Sequence, residues 1–210
     1  LFLVFTNAFP FMTKTPETSI TTTSEAELEE AVNDAVEPTV ITLDNDIQLT
    51  KPLIIPTNKN ITLTSNNIAN GFFKLIGANK EYTIVVKTDG VLRLDGVVVT
   101  HEKGVYGRGV FADFGSILIL YSGVICNNTM PNDYKAPNEE WGGGVVNLGT
   151  FSMIGGEIFG NTAYTGGGVL NYGTFEMTGG KISGNTVGAS GGVYNYDEVS
   201  LSGGCSGGGV

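Results

Sequence analysis

Residues 142–151 read Gly-Gly-Gly-Val-Val-Asn-Leu-Gly-Thr-Phe, and residues 166–175 repeat them as Gly-Gly-Gly-Val-Leu-Asn-Tyr-Gly-Thr-Phe. A third copy begins at residues 191–196 with Gly-Gly-Val-Tyr-Asn-Tyr. Equivalent asparagines stand at 147, 171 and 195, so both steps equal 24 residues. A fixed period of this length is typical of a solenoid, in which each repeat stacks on the next.

Short runs inside each repeat alternate apolar and polar residues between glycines. Phe-Ser-Met at 151–153 becomes Phe-Glu-Met at 175–177, so the outer two positions stay apolar while the middle one changes. A period of two predicts strands, and runs this short and glycine-rich do not hold a helix. The sequence therefore predicts an all-β fold, a parallel β-helix solenoid with about 24 residues per coil.

Stacking of such coils places equivalent side chains in ladders about 4.8 Å apart. The predicted ladders are Val145, Val169 and Val193; Phe151, Phe175 and Val199; Met153, Met177 and Leu201; Ile158 and Ile182; Asn147, Asn171 and Asn195; and Asn161 and Asn185. We interpret the asparagine ladders as structural, because amide groups hydrogen-bond along a stack.

The first coil of a solenoid needs a cap over its open end. Ser24 and Glu27 have the spacing of a capping box, and the apolar residues that follow fall on one helical face. We therefore predict a short capping helix at the amino-terminal end, over residues 24–32.

Charge and termini narrow the function. The net charge of −10 makes nucleic acid and anionic membranes poor partners, and from residue 142 onward Lys181 is the only basic residue. The run Leu-Phe-Leu-Val-Phe at 1–5 indicates part of a signal peptide, the alternative being a hydrophobic strand. No stretch has the length and hydropathy of a membrane-spanning helix.

The predicted organisation is a partial signal peptide or disordered lead followed by a single domain. The segments are 1–16 for the lead and 17–210 for the β-helix domain, within which 17–60 form the cap and first strands, 61–141 irregular coils, and 142–210 regular coils cut at the carboxyl end.

The repeat pattern also resembles known families. Gly-Gly-Gly-Val…Asn-x-Gly-Thr-Phe-x-Met-x-Gly-Gly-x-Ile-x-x-Asn-Thr resembles the repeats of bacterial cell-surface adhesin-like proteins with right-handed parallel β-helices. It is similar to polymorphic outer membrane protein repeats, with Ile-x-x-Asn at 125–128, 158–161 and 182–185 in place of Phe-x-x-Asn. The helix and the strand at 39–43 resemble caps of pectate-lyase-like folds. The resemblance implies a right-handed β-helix at a bacterial cell surface or outside the cell.

A catalytic alternative depends on residues 100–113. They hold the single histidine, His101, together with Arg108 and Asp113, a base, a cation and an acid. Polysaccharide lyases and hydrolases on β-helices need such groups in one cleft. The Asn-Thr-Asp, Asp-Asp, His-Gly and Arg-Ile-Lys signatures of pectin hydrolases are absent from the sequence.

Two further candidates concern binding. The polar insertion at 130–141 carries Tyr134 and the single tryptophan, Trp141, whose rings suit sugars, or it is a plain surface excursion. The second candidate is a surface on the regular coils, where alternation predicts an outward column of apolar and aromatic residues. The ligand contacts predicted on that surface are Leu170, Tyr172, Tyr194 and Tyr196.

Together these observations favour a secreted or cell-surface, adhesin-like binding protein. The expected partner is a polysaccharide, or a glycan or protein on a host or neighbouring cell. Two alternatives remain open, a polysaccharide lyase or glycoside hydrolase and a stalk that binds nothing. No cofactor and no metal site are predicted.

Overall fold

The computed structural model describes residues 18–67, 69, 71–130, 142–187, 192–196 and 199–201. Within these residues it contains one α-helix and twenty β-strands. All the strand pairings found there are parallel. The predicted all-β class, with strands in parallel sheets, is confirmed.

Residues 18–130, which we call the N-terminal half, contain the helix and ten strands. These elements are β1 (Thr18–Thr22), α1 (Glu25–Asp34), β2 (Thr39–Leu43), β3 (Ile47–Gln48), β4 (Leu53–Ile55), β5 (Asn60–Ser65), β6 (Lys74–Ile76), β7 (Tyr82–Val86), β8 (Val91–Thr100), β9 (Arg108–Ala112) and β10 (Ile117–Cys126). Strands β8 and β10 each run for ten residues, so the longest pairings lie here.

The predicted helix is confirmed as α1. Ser24 is its N-cap, and its side chain accepts a hydrogen bond from the Glu27 backbone N–H at 3.4 Å. The Glu27 carboxylate in turn accepts from the backbone N–H of Thr23 at 2.8 Å, one residue earlier than an ideal capping box. The buried face of the helix consists of Leu28, Ala31 and Val32. The helix therefore adds its apolar face to the core at this end of the sheets.

Residues 142–187 and 192–196, which we call the repeat region, contain shorter strands. They are β11 (Val145–Asn147), β12 (Thr150–Met153), β13 (Glu157–Phe159), β14 (Thr162–Ala163), β15 (Val169–Asn171), β16 (Thr174–Met177), β17 (Lys181–Ser183), β18 (Thr186–Val187) and β19 (Val193–Asn195), and β20 (Val199–Leu201) follows. Strands of two to four residues form few backbone hydrogen bonds each, so turns and side chains contribute more of the stacking here.

Two large parallel sheets contain most of the strands. The twelve-stranded sheet has the order β1-β2-β5-β8-β10-β12-β16-β20, with β3, β6, β13 and β17 paired beside this path. The six-stranded sheet has the order β19-β15-β11-β9-β7-β4, and β14 pairs with β18. Each strand thus pairs in parallel with at least one strand from another part of the chain.

The register of these pairs confirms the predicted ladders. Phe151 pairs with Phe175 and Met153 with Met177, and the two phenylalanine rings stack with centroids 4.9 Å apart. Both phenylalanines are fully buried. Stacking of this kind stabilises by about 1 kcal/mol beyond burial of the ring area. One continuous core of aliphatic and aromatic residues extends from Leu28 in the helix to Val193 in β19.

Candidate functional site

The three residues of the catalytic alternative lie at different places around β9. His101 follows β8 and is buried, with 4% of its surface exposed. Arg108 is the first residue of β9, and Asp113 follows its last. Five residues of extended chain span roughly 17 Å, so Arg108 and Asp113 lie at opposite ends of the strand. The structure does not bring the three side chains together in one cleft.

His101 has both ring nitrogens engaged within the protein. Its Nδ1 lies 2.8 Å from the Oδ1 of Asn128, and its Nε2 lies 3.2 Å from the backbone oxygen of Ala78. Glycines surround the ring closely, since a Cβ at Gly107 would lie 1.9 Å from Nε2 and one at Gly77 would lie 2.3 Å from it. The imidazole fills a space that these two glycines leave, and each ring nitrogen faces an oxygen atom of the protein.

His101 also stands at the end of a ladder of asparagine side chains, which we call the interior ladder (Asn128, Asn161 and Asn185). Asn128 and Asn161 are fully buried, and Asn185 is half-buried. The Nδ2 of Asn128 donates to the Oδ1 of Asn161 at 2.9 Å, and the Nδ2 of Asn161 donates to the Oδ1 of Asn185 at 3.0 Å. Backbone N–H groups of Asn128 and Asn161 donate to the same oxygens. The sequence predicted the ladder of Asn161 and Asn185 and the matching Ile-x-x-Asn motif at 125–128. It did not predict that His101 would contact this ladder, because the spacing of His101 from Val99 differs from that motif.

Arg108 packs against an aromatic ring. Its guanidinium lies over the Tyr82 ring, 5.2 Å from the centroid, and the Tyr82 ring contacts that of Phe111 at 5.3 Å. Burial raises the pKa of Tyr82, and the charge of Arg108 opposes that shift. Asp113 accepts a hydrogen bond from the backbone N–H of Phe114 at 2.8 Å. These contacts are typical of structural roles at a turn and on a sheet face.

A cleft of about 420 Å³ lies beside His101, and we call it the Tyr106 cleft. Its lining residues are His101, Glu102, Lys103, Gly104, Val105, Tyr106, Asn127 and Thr129. The first six form the connection between β8 and β9, and the last two belong to the turn after β10. Sequence reasoning singled out the first of these segments but gave no signal that the second would face it.

Three of the predicted ligand contacts form a tyrosine cluster (Tyr172, Tyr194 and Tyr196). The rings of Tyr172 and Tyr196 are parallel within 5°, with centroids 4.5 Å apart. Tyr194 meets Tyr196 edge to face at 4.9 Å, and a hydrogen bond with Tyr196 raises the pKa of Tyr194. Tyr196 is 59% exposed. The ring faces are thus largely occupied by one another, and Tyr196 gives the cluster its largest exposed surface.

The predicted exposure of Leu170 is wrong. Leu170 is fully buried, and its equivalent Val146 is 4% exposed. The cause is the glycine turn before each strand, which folds back over the side chain. A Cβ at Gly166 would lie 2.8 Å from the Cβ of Leu170, and one at Gly142 would lie 2.1 Å from a methyl carbon of Val146. Strand alternation gave the correct face of the sheet, but the turn covers it, so Leu170 is not available to a ligand.

The other two predicted contacts, Tyr134 and Trp141, lie outside the described residues. In the described part of the chain, no three histidine, cysteine, aspartate or glutamate side chains are grouped to hold a metal ion. The same residues include no helix with the length and apolar character needed to cross a membrane. Comparison with protein-family models, with curated proteins and with solved structures gives no match to this chain.

Proposed function

We propose that this chain is an adhesin-like binding protein of the cell surface or the extracellular space, built as a right-handed parallel β-helix. The parallel pairing of equivalent strands at a constant interval supports the solenoid. A stack of this kind is stiff, because each repeat is hydrogen-bonded to its neighbours along several strands. It holds surface residues in fixed positions, which lowers the entropy lost on binding a partner.

The single observation that carries the binding function is the tyrosine cluster. Tyrosines are enriched in recognition surfaces because the ring adds contact area and the hydroxyl adds a hydrogen bond at little entropic cost. The stacking of Tyr172 on Tyr196 fixes the rings before any partner arrives. We propose that a glycan is the partner, contacted through the hydroxyl and ring edge of Tyr196.

The charges near the cluster agree with a neutral glycan. From residue 142 to residue 198 the side chains charged at pH 7 are Glu157, Glu176, Lys181, Asp197 and Glu198, so this stretch of sequence carries no basic patch. A polyanion would lack the cations that hold its phosphates or carboxylates. The engaged nitrogens of His101 and the separation of Arg108 from Asp113 make the enzymatic alternative the less favoured one.

The test uses the full 210-residue chain on an array of plant, mucin and bacterial polysaccharides, with chain cleavage scored on the same samples. We expect binding without cleavage and a loss of roughly tenfold in affinity for Tyr196→Ala. Tyr121→Ala is the matched control, because Tyr121 is also an exposed tyrosine on a strand.

Three results would contradict this proposal. Cleavage that is abolished by His101→Gln in a folded variant would make the chain an enzyme. Binding to cell-surface proteins after removal of their glycans would replace the glycan by a protein partner. Absence of binding to all samples would leave the stalk as the function.

A further inference from the structure

The Tyr106 cleft has walls that are fixed by the backbone on both sides. The backbone N–H of Gly107 donates to the carbonyl of Thr129 at 2.9 Å, which joins the two lining segments. On the other side of the first segment, the N–H of Lys80 donates to the carbonyl of Tyr106 at 2.7 Å. Within that segment, the backbone N–H of Val105 donates to the backbone carbonyl of Glu102 at 3.0 Å, which closes a turn.

The floor of the cleft is equally constrained. His101 is held by Asn128, and Asn128 belongs to the interior ladder. Asn127, the residue before it, has a positive φ of 56° that directs the chain around the turn. A cleft between such elements keeps its shape in the absence of a ligand, and preformed clefts are typical of small-molecule sites.

The groups that line the cleft suit a neutral polyol. Tyr106 is 42% exposed, and among the described residues no other ring stacks on it. The Asn127 amide and the Thr129 hydroxyl can both donate and accept hydrogen bonds. Glu102 and Lys103 are exposed neighbours of opposite charge, so the net charge of their side chains is zero. An anionic ligand and a cationic ligand would each meet one attractive and one repelling group.

We propose that the Tyr106 cleft is a binding subsite for a neutral saccharide of one to three sugar units. The volume of about 420 Å³ falls within the usual range for small-ligand sites. A sugar ring packs its C–H face on Tyr106, and its hydroxyls bond to Asn127, Thr129 and the charged pair. This site is separate from the tyrosine cluster, so it gives the chain a second point of attachment to a glycan.

The same lining predicts binding without hydrolysis. Glycoside hydrolysis usually needs two carboxyl groups on opposite sides of the bond, and among the described residues that line the cleft Glu102 is the one carboxylate. His101 cannot replace the second group as a base while its Nδ1 and Nε2 face Asn128 and Ala78. The described lining therefore favours binding of a saccharide over its hydrolysis.

The test is a nuclear magnetic resonance titration of the full chain with cellotriose, maltotriose, mannotriose, chitotriose and trigalacturonate. We expect saturation transfer to at least one neutral trisaccharide at millimolar concentration. Tyr106→Ala should weaken that binding by roughly tenfold, and Tyr121→Ala, which removes an equally exposed tyrosine (42% for both), should leave it unchanged.

The outcomes separate this site from the tyrosine cluster. Tyr196→Ala should leave trisaccharide binding intact even where it abolishes binding to polysaccharides. Each proposal can therefore be rejected independently of the other. The cleft proposal is overturned if no neutral trisaccharide binds, or if Tyr106→Ala binds as the parent does. Preferential binding of trigalacturonate that is lost in Lys103→Ala would assign the cleft to an acidic sugar and reject the neutral one.

Discussion

The N-terminal half and the repeat region hold equivalent strands together in different ways. In the N-terminal half, β8 and β10 are ten residues long and pair along most of their length, through a bulge. In the repeat region the strands have two to four residues, and two asparagine ladders cross them. Side-chain amides add hydrogen bonds where short strands supply few. Regular spacing is needed where stacking depends on contacts between equivalent side chains.

Turns show the same contrast. Among the described residues, left-handed backbone occurs at Asn58, Lys80, Asp89 and Asn127 in the N-terminal half, in addition to glycines. In the repeat region it occurs only at glycines of the described segments. One turn position allows a direct comparison, because Asn127, Gly160 and Gly184 precede successive members of the interior ladder, with φ values of 56°, 65° and 61°.

Removal of a central ladder amide should have the largest effect on stability. Asn161→Ala leaves the backbone N–H and the Nδ2 of Asn128 and the carbonyl of Ile125 without their partner. Buried groups left unpaired cost about 1–3 kcal/mol each, so we expect a loss of about 4 kcal/mol in the free energy of unfolding. Equilibrium urea denaturation measures it.

Two companion variants test whether burial along the ladder sets this cost. Asn185→Ala should lose about 2 kcal/mol, because Asn185 is half-buried and water replaces part of its bonds. Asn33→Ala, on the exposed face of the helix, should be close to neutral. Equal losses for Asn161→Ala and Asn33→Ala would show that the ladder contributes nothing to the stacking of short strands.

Exchange at the shared turn position should have an intermediate effect. Gly184 has φ of 61° and no atom within 4 Å of the place where a Cβ would lie, so substitution tests the backbone conformation alone. We expect Gly184→Ala to destabilise by about 1 kcal/mol and Gly184→Asn by less, since asparagine tolerates this conformation at position 127. Thermal unfolding of both variants measures the difference.

The reverse exchange is the control for the turn. The free energy of unfolding of Asn127→Gly should lie within a few tenths of a kcal/mol of the parent value, because relief of backbone strain and added entropy of the unfolded chain oppose each other. If Gly184→Asn were as costly as Gly184→Ala, the two regions would differ in more than the residue at this turn.

Periodicity in the sequence was enough to predict the ladders of the repeat region. A constant interval of 24 residues aligns Phe151 with Phe175 and Asn147 with Asn171 whatever the path between them. The capping helix could also be predicted from the sequence, because its start is encoded within four residues, 24–27. Both are properties of local sequence or of its repetition.

The candidate sites were harder to predict from the sequence, because they depend on how turns fold back over the strands. The burial of Leu170 arises from the path of the turn at Gly166, which strand alternation does not describe. The Tyr106 cleft forms between segments about twenty residues apart, and the N-terminal half has no fixed interval that would align them. The engagement of His101 by Asn128 has the same origin.

The smallest expected effect concerns the start of the helix in the N-terminal half. Hydrogen bonds there are accepted by a carboxylate, whereas in the repeat region they are made by the amides of the asparagine ladders. Hydrogen bonds from the backbone and side chain of Thr23 lower the pKa of Glu27 below its ordinary value of 4.5. Its stabilising contribution is therefore present above that value and is lost as the pH falls through the lower folded-state pKa. Glu27→Gln should lower the midpoint of thermal unfolding at pH 7, and the deficit should shrink towards pH 3. Glu30→Gln, on the exposed face of the same helix, should show no such convergence. A deficit for Glu27→Gln that stayed constant with pH would mean that the side chain stabilises the cap through its shape, independently of its charge.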